Sequence, residues 1–255
     1  MRMKIQHYFD LIIVLTQKEL KVRYKNSFLG YLWSIAHPLA FAFVFWLAFK
    51  VVIKIEMDDY TLFLIAGLFP WQWFSNSVIA APLFFLGNTS LIKKVNFPKN
   101  LIPFTQVLQE MIHFVLATPV IVLFLFIYHK SPSFTWLYGI PILLVIQFLM
   151  TYGISLIISS ANLFFRDLER ISFIFTTLLF YLTPIIYPEE MIPGNYKSLM
   201  NLNPVSALML SWRNLFLSGT LELSYLAIAL GYAMLSFGVG YLVYKKLSWK
   251  FAEVL

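Results

Sequence analysis

The sequence predicts an all-α polytopic membrane protein. It has six transmembrane helices, an N-terminal amphipathic helix lying at the interface, and short re-entrant helices between spans five and six. Three observations predict this. Of 255 residues, 60% are hydrophobic and only 12% charged, with a mean hydropathy of +0.77. Soluble domains carry about 25% charged residues, so this chain cannot cover a soluble surface and needs the bilayer as solvent for much of its length. Six stretches approach the ~20 apolar residues that a crossing requires. The basic residues also fall mostly on alternate connections between those stretches.

The spans are expected at 30–53, 61–85, 101–128, 134–165, 171–187 and 223–244, the fifth being short. Six crossings put the N-terminus, the connections 86–100 and 166–170, and the C-terminus on one side. That side holds fourteen of the 19 basic residues and the other holds five. The positive-inside rule then places both termini in the cytoplasm. Moving one span would break the alternation, so the charge bias also supports the count. The net charge of +7 reads as loop bias and attraction to anionic lipid, with nucleic acid not expected as a partner.

Residues 1–28 are too charged to span and lack a clean apolar run before a small-residue cleavage site, so no cleavable signal is expected. Lys18, Lys21 and Lys25 share a helical face, while Phe9, Ile12, Ile13 and Leu20 supply apolar area. The connection 86–100 (LGNTSLIKKVNFPKN) is expected to hold a short helix capped by Asn88 or Thr89 and stopped before Pro98. Pro184, Pro188, Pro193 and Pro204 interrupt the region after the fifth span. The apolar piece 205–217 that follows reaches only about 20 Å as a helix, too short to cross. Broken backbone at membrane depth is tolerated only beside protein or a water-filled cavity, which argues for a gate or vestibule spanning 188–219.

The residues offer little catalytic chemistry. There is no phosphate-binding G-x-x-x-x-G-K-[ST], no H-E-x-x-H and no G-x-S-x-G. Cysteine is absent, which excludes disulfides and thiolate sites. His7, His37, His113 and His129 are scattered, so no metal site is expected. Within the third span, Gln106, Gln109, Glu110 and His113 share one helix face, and such groups do not face lipid. They form either an internal hydrogen-bond seam or part of a translocation path. Arg166, Asp167, Glu169 and Arg170 can pair locally or form a docking surface. Trp71, Trp73, Tyr181 and Tyr187, with Glu189 and Glu190, are candidates for a path or gate, because aromatic faces suit the C–H surfaces of sugar rings.

The run KELKVRYKNSFLGYLWSIAHPL at 18–39 resembles the N-terminal signature of the ABC-2 type exporter permeases. GLFPWQWFSNSV, GNTSLIKKVNFPKN, NLFFRDLERI, TPIIYP and LNPVSALMLSWRNLFLSG follow in the family's order and extend the resemblance over nearly the whole chain. Within that family the chain is most similar to the polysaccharide branch, which exports O-antigen and teichoic acid. The resemblance implies a homodimer bound to two copies of a separate ATPase subunit, which would hold ATP and Mg. It implies no cofactor in this chain. It also implies that 86–100 is the coupling loop, with Leu91, Ile92, Lys93, Lys94 and Val95 at its centre, that 1–28 is the interface helix, and that 188–219 forms the outer gate.

The function expected is therefore that of a transport subunit, not an enzyme. It would move undecaprenyl-diphosphate-linked polysaccharide across the bacterial inner membrane, with Lys21, Arg23 and Lys25 attracting the carrier's diphosphate. Two other classes stay open on the residues alone. A membrane-embedded transferase on a polyprenyl-linked glycan would need an acid pair such as Glu189 and Glu190. An ion-coupled secondary transporter would need more intramembrane acids than Glu110.

Overall fold

The computed structural model describes residues 5–23, 30–52, 54, 57, 59–200 and 202–255. Every regular element among them is helical. Helix α1 (Ile5–Arg23) precedes α2 (Trp33–Trp46), which continues as a wider turn over Leu47–Val52. Then come α3 (Tyr60–Ala80), the short α4 (Leu83–Leu86) and α5 (Thr89–Lys94), α6 (Leu101–Ile127) and α7 (Trp136–Asn162). Helix α8 (Leu168–Leu182) is followed by a broken stretch with α9 (Gly194–Met200) and α10 (Ser206–Ser218). The chain closes with α11 (Leu223–Leu247) and a terminal turn, α12 (Phe251–Val254).

Among the described residues, five helices are long and apolar enough to cross a membrane: Ile35–Val52, Tyr60–Ala80, Leu101–Ile127, Trp136–Asn162 and Leu223–Lys250. Helix α8 has 15 residues, about 22 Å at 1.5 Å per residue, and is not one of them. It stops because Thr183 turns to extended backbone ahead of Pro184, as the residue before a proline is driven to do. The expected second span is also shorter than its apolar run. Helix α3 ends at Ala80, and a turn at Ala81 and Pro82 sets α4 apart.

Successive long helices run in opposite directions. At one end of the bundle the ring of Phe85 lies 4.7 Å from Phe251 and 6.4 Å from Tyr244. The Tyr244 hydroxyl there accepts the Asn100 N–H at 3.0 Å. The last turn of α11 thus meets α4 and the start of α6. At the other end, the Trp136 indole N–H donates to the Leu215 carbonyl at 2.8 Å, and Thr135 Oγ1 donates to the Gly219 carbonyl at 2.7 Å. The start of α7 is thereby tied to the end of α10, where the Leu215 carbonyl also accepts the Gly219 N–H at 3.1 Å. Gly219 has φ +65°, and a Cβ there would strike Ser133, so this cap needs glycine.

Two cores hold the molecule. The larger joins α3, α6, α7 and α10 around Trp73, Phe114, Trp212 and Phe216. The smaller lies at the α5 end, where Leu15 of α1, Phe85, Ile92 and Phe251 pack together. Helices α7 and α11 touch backbone to backbone: a Cβ on Gly240 would overlap Gly153, and a Cβ on Gly153 would overlap Ser236 and Phe237. Small residues are what permit such an approach between apolar helices.

Candidate functional site

Two recesses form a groove along one flank of the bundle. The larger, a cleft of about 860 Å³, lies at the α5 end. Glu19 of α1, Asn76 of α3, Gln106, Gln109 and Glu110 of α6, and Glu169 and Arg170 of α8 face it. The smaller, about 280 Å³, continues toward the α10 end between α2, α3 and α8. Asn76 and Ile79 line both, so the two recesses meet at that turn of α3.

Helix α6 presents the predicted polar stripe to the larger cleft, whose remaining walls, Val22, Ile79, Leu83, Phe173 and Ile174 among them, are mainly apolar. Asn76 donates from Nδ2 to Glu110 Oε2 at 3.3 Å, linking α3 to α6 across its wall. Gln109 is buried, and Gln106 sits beside it, half-buried. His113, the fourth member of the stripe, is buried and outside the cleft lining. Among the described residues, Glu169 and Arg170 form no local ion pair; they line the cleft instead.

The smaller recess is aromatic. Phe180 is its hub, with ring centroids 5.5 Å from Phe45, 5.6 Å from Trp71 and 5.3 Å from Tyr181. Phe41 and His37 extend the ring series along α2. Gln72, Ser75 and Asn76 of α3 put polar groups opposite these rings.

Of the aromatic candidates, Trp71 and Tyr181 line this recess. Trp73 does not: it is 2% exposed and stacks on Phe114 at 5.6 Å in the core. Residues two apart on a helix point about 200° apart, which separates Trp71 from Trp73. Tyr187 donates its hydroxyl to the Tyr181 carbonyl at 3.0 Å. Glu189 accepts the Tyr225 hydroxyl at 2.8 Å, while Glu190 is exposed. One of the two glutamates is thus committed to tying the broken stretch to α11.

That stretch is clamped from several sides. The Tyr60 hydroxyl donates to the Ile186 carbonyl at 2.9 Å, and Arg213 Nη2 donates to the Ile185 carbonyl at 2.8 Å. The Arg213 guanidinium carbon lies 3.7 Å from the centre of the Phe63 ring, a cation–π contact. Arg213 is 4% exposed. Burial pushes its pKa down to about 9 against the opposing pull of Glu190 and Tyr60, which leaves it protonated at neutral pH. Deeper in, Gln147 of α7 donates to the Pro70 carbonyl at 2.7 Å and accepts the Trp212 indole N–H at 2.6 Å. Helices α3, α7 and α10 are thereby joined through one buried amide that has a partner at both its nitrogen and its oxygen, as a buried polar group should.

At the α5 end, Leu91, Ile92, Lys93 and Lys94 fall within α5, and Val95 follows it as extended chain. Ile92 is buried while Lys93, Lys94 and Val95 are exposed. Asn88 holds the N-cap position, yet its side chain does not cap α5. It donates instead to the Phe84 carbonyl at 3.0 Å and accepts from Lys18 Nζ at 2.7 Å. Lys21 is exposed on α1; the Arg23 side chain and Lys25 lie outside the described residues.

Sequence reasoning missed Gln72 and Asn76, whose i, i+4 spacing within an apolar span was a legible sign of a polar face. It also missed Gln147 and the burial of Arg213, which depend on contacts between distant helices.

Five long apolar helices around a groove that carries polar side chains in an otherwise apolar wall mark a polytopic membrane protein. The chain belongs to the ABC-2 type transporter family, whose pattern matches residues 10–217. It is 45% identical over 255 residues to an O-antigen export system permease protein RfbA of Klebsiella pneumoniae, covering all of this chain and 98% of that protein. A second Klebsiella pneumoniae protein of the same name is 46% identical over the same length. An RfbA of Myxococcus xanthus is 35% identical over 216 residues, 84% of this chain and 82% of that protein.

Proposed function

We propose that this chain is the permease subunit of an ATP-driven exporter that carries an O-antigen-like polysaccharide on undecaprenyl diphosphate outward across the bacterial inner membrane. The observation that carries this reading is the 45% identity over all 255 residues to permeases named for O-antigen export. The groove supports it: polar side chains at the α5 end and stacked rings beyond them suit a hydroxyl-rich chain with apolar C–H faces.

In this reading α8 and residues 183–187 together make the fifth crossing, which brings the total to six. Both termini are then cytoplasmic, and the α5 end is the inner end. Two copies of the chain enclose the path with the grooves facing each other. Two copies of a separate ATPase hold ATP and Mg and dock on α5. Closure of the ATPase differs in its contacts with the two permease states, as a driven conformational change requires. Lys21, Arg23 and Lys25, on or just after α1, draw the carrier's diphosphate to the inner opening, and the region 188–219 closes the outer opening.

Deletion of the gene tests the reading. The expected result is loss of surface glycan with accumulation of lipid-linked glycan inside the cell, both reversed by the wild-type gene. Unchanged surface glycan would contradict it.

A further inference from the structure

We infer that the last turn of α11 and the turn that follows it bind the headgroup of an anionic phospholipid, at the end of the bundle that carries α5. The inference does not depend on what the chain exports. It needs only that this end lies at a membrane surface.

Helix α11 packs on α7 and α10 and lines neither recess, so its exposed face lies off the groove. Leu235, Val239 and Leu242 are exposed on it, and their spacing of four and three keeps them on one side of the helix. Lys246, four residues further on, continues the same stripe and is exposed. An apolar track that runs up to a lysine at the helix end fits acyl chains along the helix and a charged headgroup at its close.

The chain beyond the helix is held in place. Phe251 is fully buried, with its ring 4.7 Å from Phe85 and 6.0 Å from Tyr244. That packing folds the terminal turn against the bundle and leaves Trp249, 68% exposed, and Lys250 on the outside. Lys250 Nζ lies 4.8 Å from the centre of the Trp249 ring. A cation is thus paired with an aromatic of the kind that settles at headgroup level. Lys99, just ahead of α6, stands 5.9 Å from the Phe251 ring.

Lys245 and Lys246 complement the helix dipole in the last turn of α11. Lys99 and Lys250 lie outside α11, so the dipole does not account for them. The four lysines outnumber the acids of the terminal segment, Glu253 and a carboxylate at Leu255. An ammonium group offers three donors and no acceptor, which suits phosphate oxygens. The excess of positive charge favours a headgroup of net negative charge over a zwitterionic one.

The test is photo-crosslinking of the full chain, assembled with its ATPase, in vesicles of phosphatidylethanolamine and phosphatidylglycerol in equal parts. p-Benzoylphenylalanine replaces Trp249, which keeps an aromatic ring there. The phosphatidylglycerol adduct is expected in several-fold excess over the phosphatidylethanolamine adduct. Lys250→Gln should lower it about fivefold, the effect of one lysine near an anionic surface, while Lys250→Arg retains it. Arg166→Gln removes an exposed cation at the same end of the bundle and should leave the adduct unchanged. The quantity of folded protein is read in parallel by size exclusion.

Equal adducts with the two lipids would overturn the inference. Equal losses from Lys250→Gln and Arg166→Gln would overturn it too, by showing diffuse charge in place of a site. An adduct made with the ATPase or with a second copy of the chain would assign this surface to a protein contact. Displacement of phosphatidylglycerol from the adduct by added lipid-linked glycan would assign it to the carrier's diphosphate. Either result would overturn the phospholipid site, and neither would count against export.

Discussion

Lys18 on α1 reaches the side-chain carbonyl of Asn88 at 2.7 Å, and Asn88 is the residue from which α5 starts. The surface helix and the proposed coupling helix are therefore joined by a charge-assisted hydrogen bond, stronger than a neutral one. If α5 is the coupling helix, motion imposed on it would pass to α1 through this bond. Lys18→Met and Asn88→Leu are each expected to lower glycan-stimulated ATP hydrolysis several-fold while the complex with the ATPase still forms. Pull-down and ATPase assays on the same preparation check this.

The contact between Gly153 and Gly240 predicts a sharp difference among glycines. Gly240→Leu forces α7 and α11 apart, because its Cβ alone would overlap the Gly153 backbone. It should abolish the folded species seen by fluorescence-detected size exclusion. Gly238→Ala, where an added Cβ meets nothing, should leave that species intact.

Arg213 predicts a local effect. Arg213→Met leaves the Ile185 carbonyl without its donor and the Phe63 face without its cation. The combined loss is about 2–3 kcal/mol. Hydrogen exchange at the amides of residues 185–187 should speed up, with little change in the middle of α6.

Trp73 and Phe180 are expected to part company. Trp73→Ala empties a core position against Phe114, at a cost of about 3–5 kcal/mol, and should lower the yield of folded protein. Phe180→Leu keeps an apolar filler but removes the ring at the hub of the groove. It should leave yield unchanged and slow export about three- to tenfold, the value of an aromatic stacking contact.

Long uninterrupted apolar runs were legible: α6, α7 and α11 begin and end within about three residues of the expected bounds. Local breakers blurred the others. Thr183 ends α8 four residues short of Tyr187, and the turn at Ala81 and Pro82 ends α3 before its apolar run does. The 3.6-residue period exposed the stripe at Gln106, Gln109, Glu110 and His113, but not the partner it meets. Asn76 lies 34 residues from Glu110, and only packing brings the two together. The Asn88 side chain left its expected capping role because Lys18 and the Phe84 carbonyl compete for it, a choice that no local pattern encodes.

The central claim is that this chain passes a lipid-linked glycan across the membrane using a partner's ATP. Reconstitution tests it most directly. The purified permease and its ATPase are placed in proteoliposomes with the lipid-linked glycan supplied on the ATPase face, and glycan appearing in the lumen is measured. The account predicts lumenal glycan only when ATP, Mg and both subunits are present. Lumenal glycan that accumulates equally without ATP, or none at all from an assembled complex that hydrolyses ATP, would contradict it.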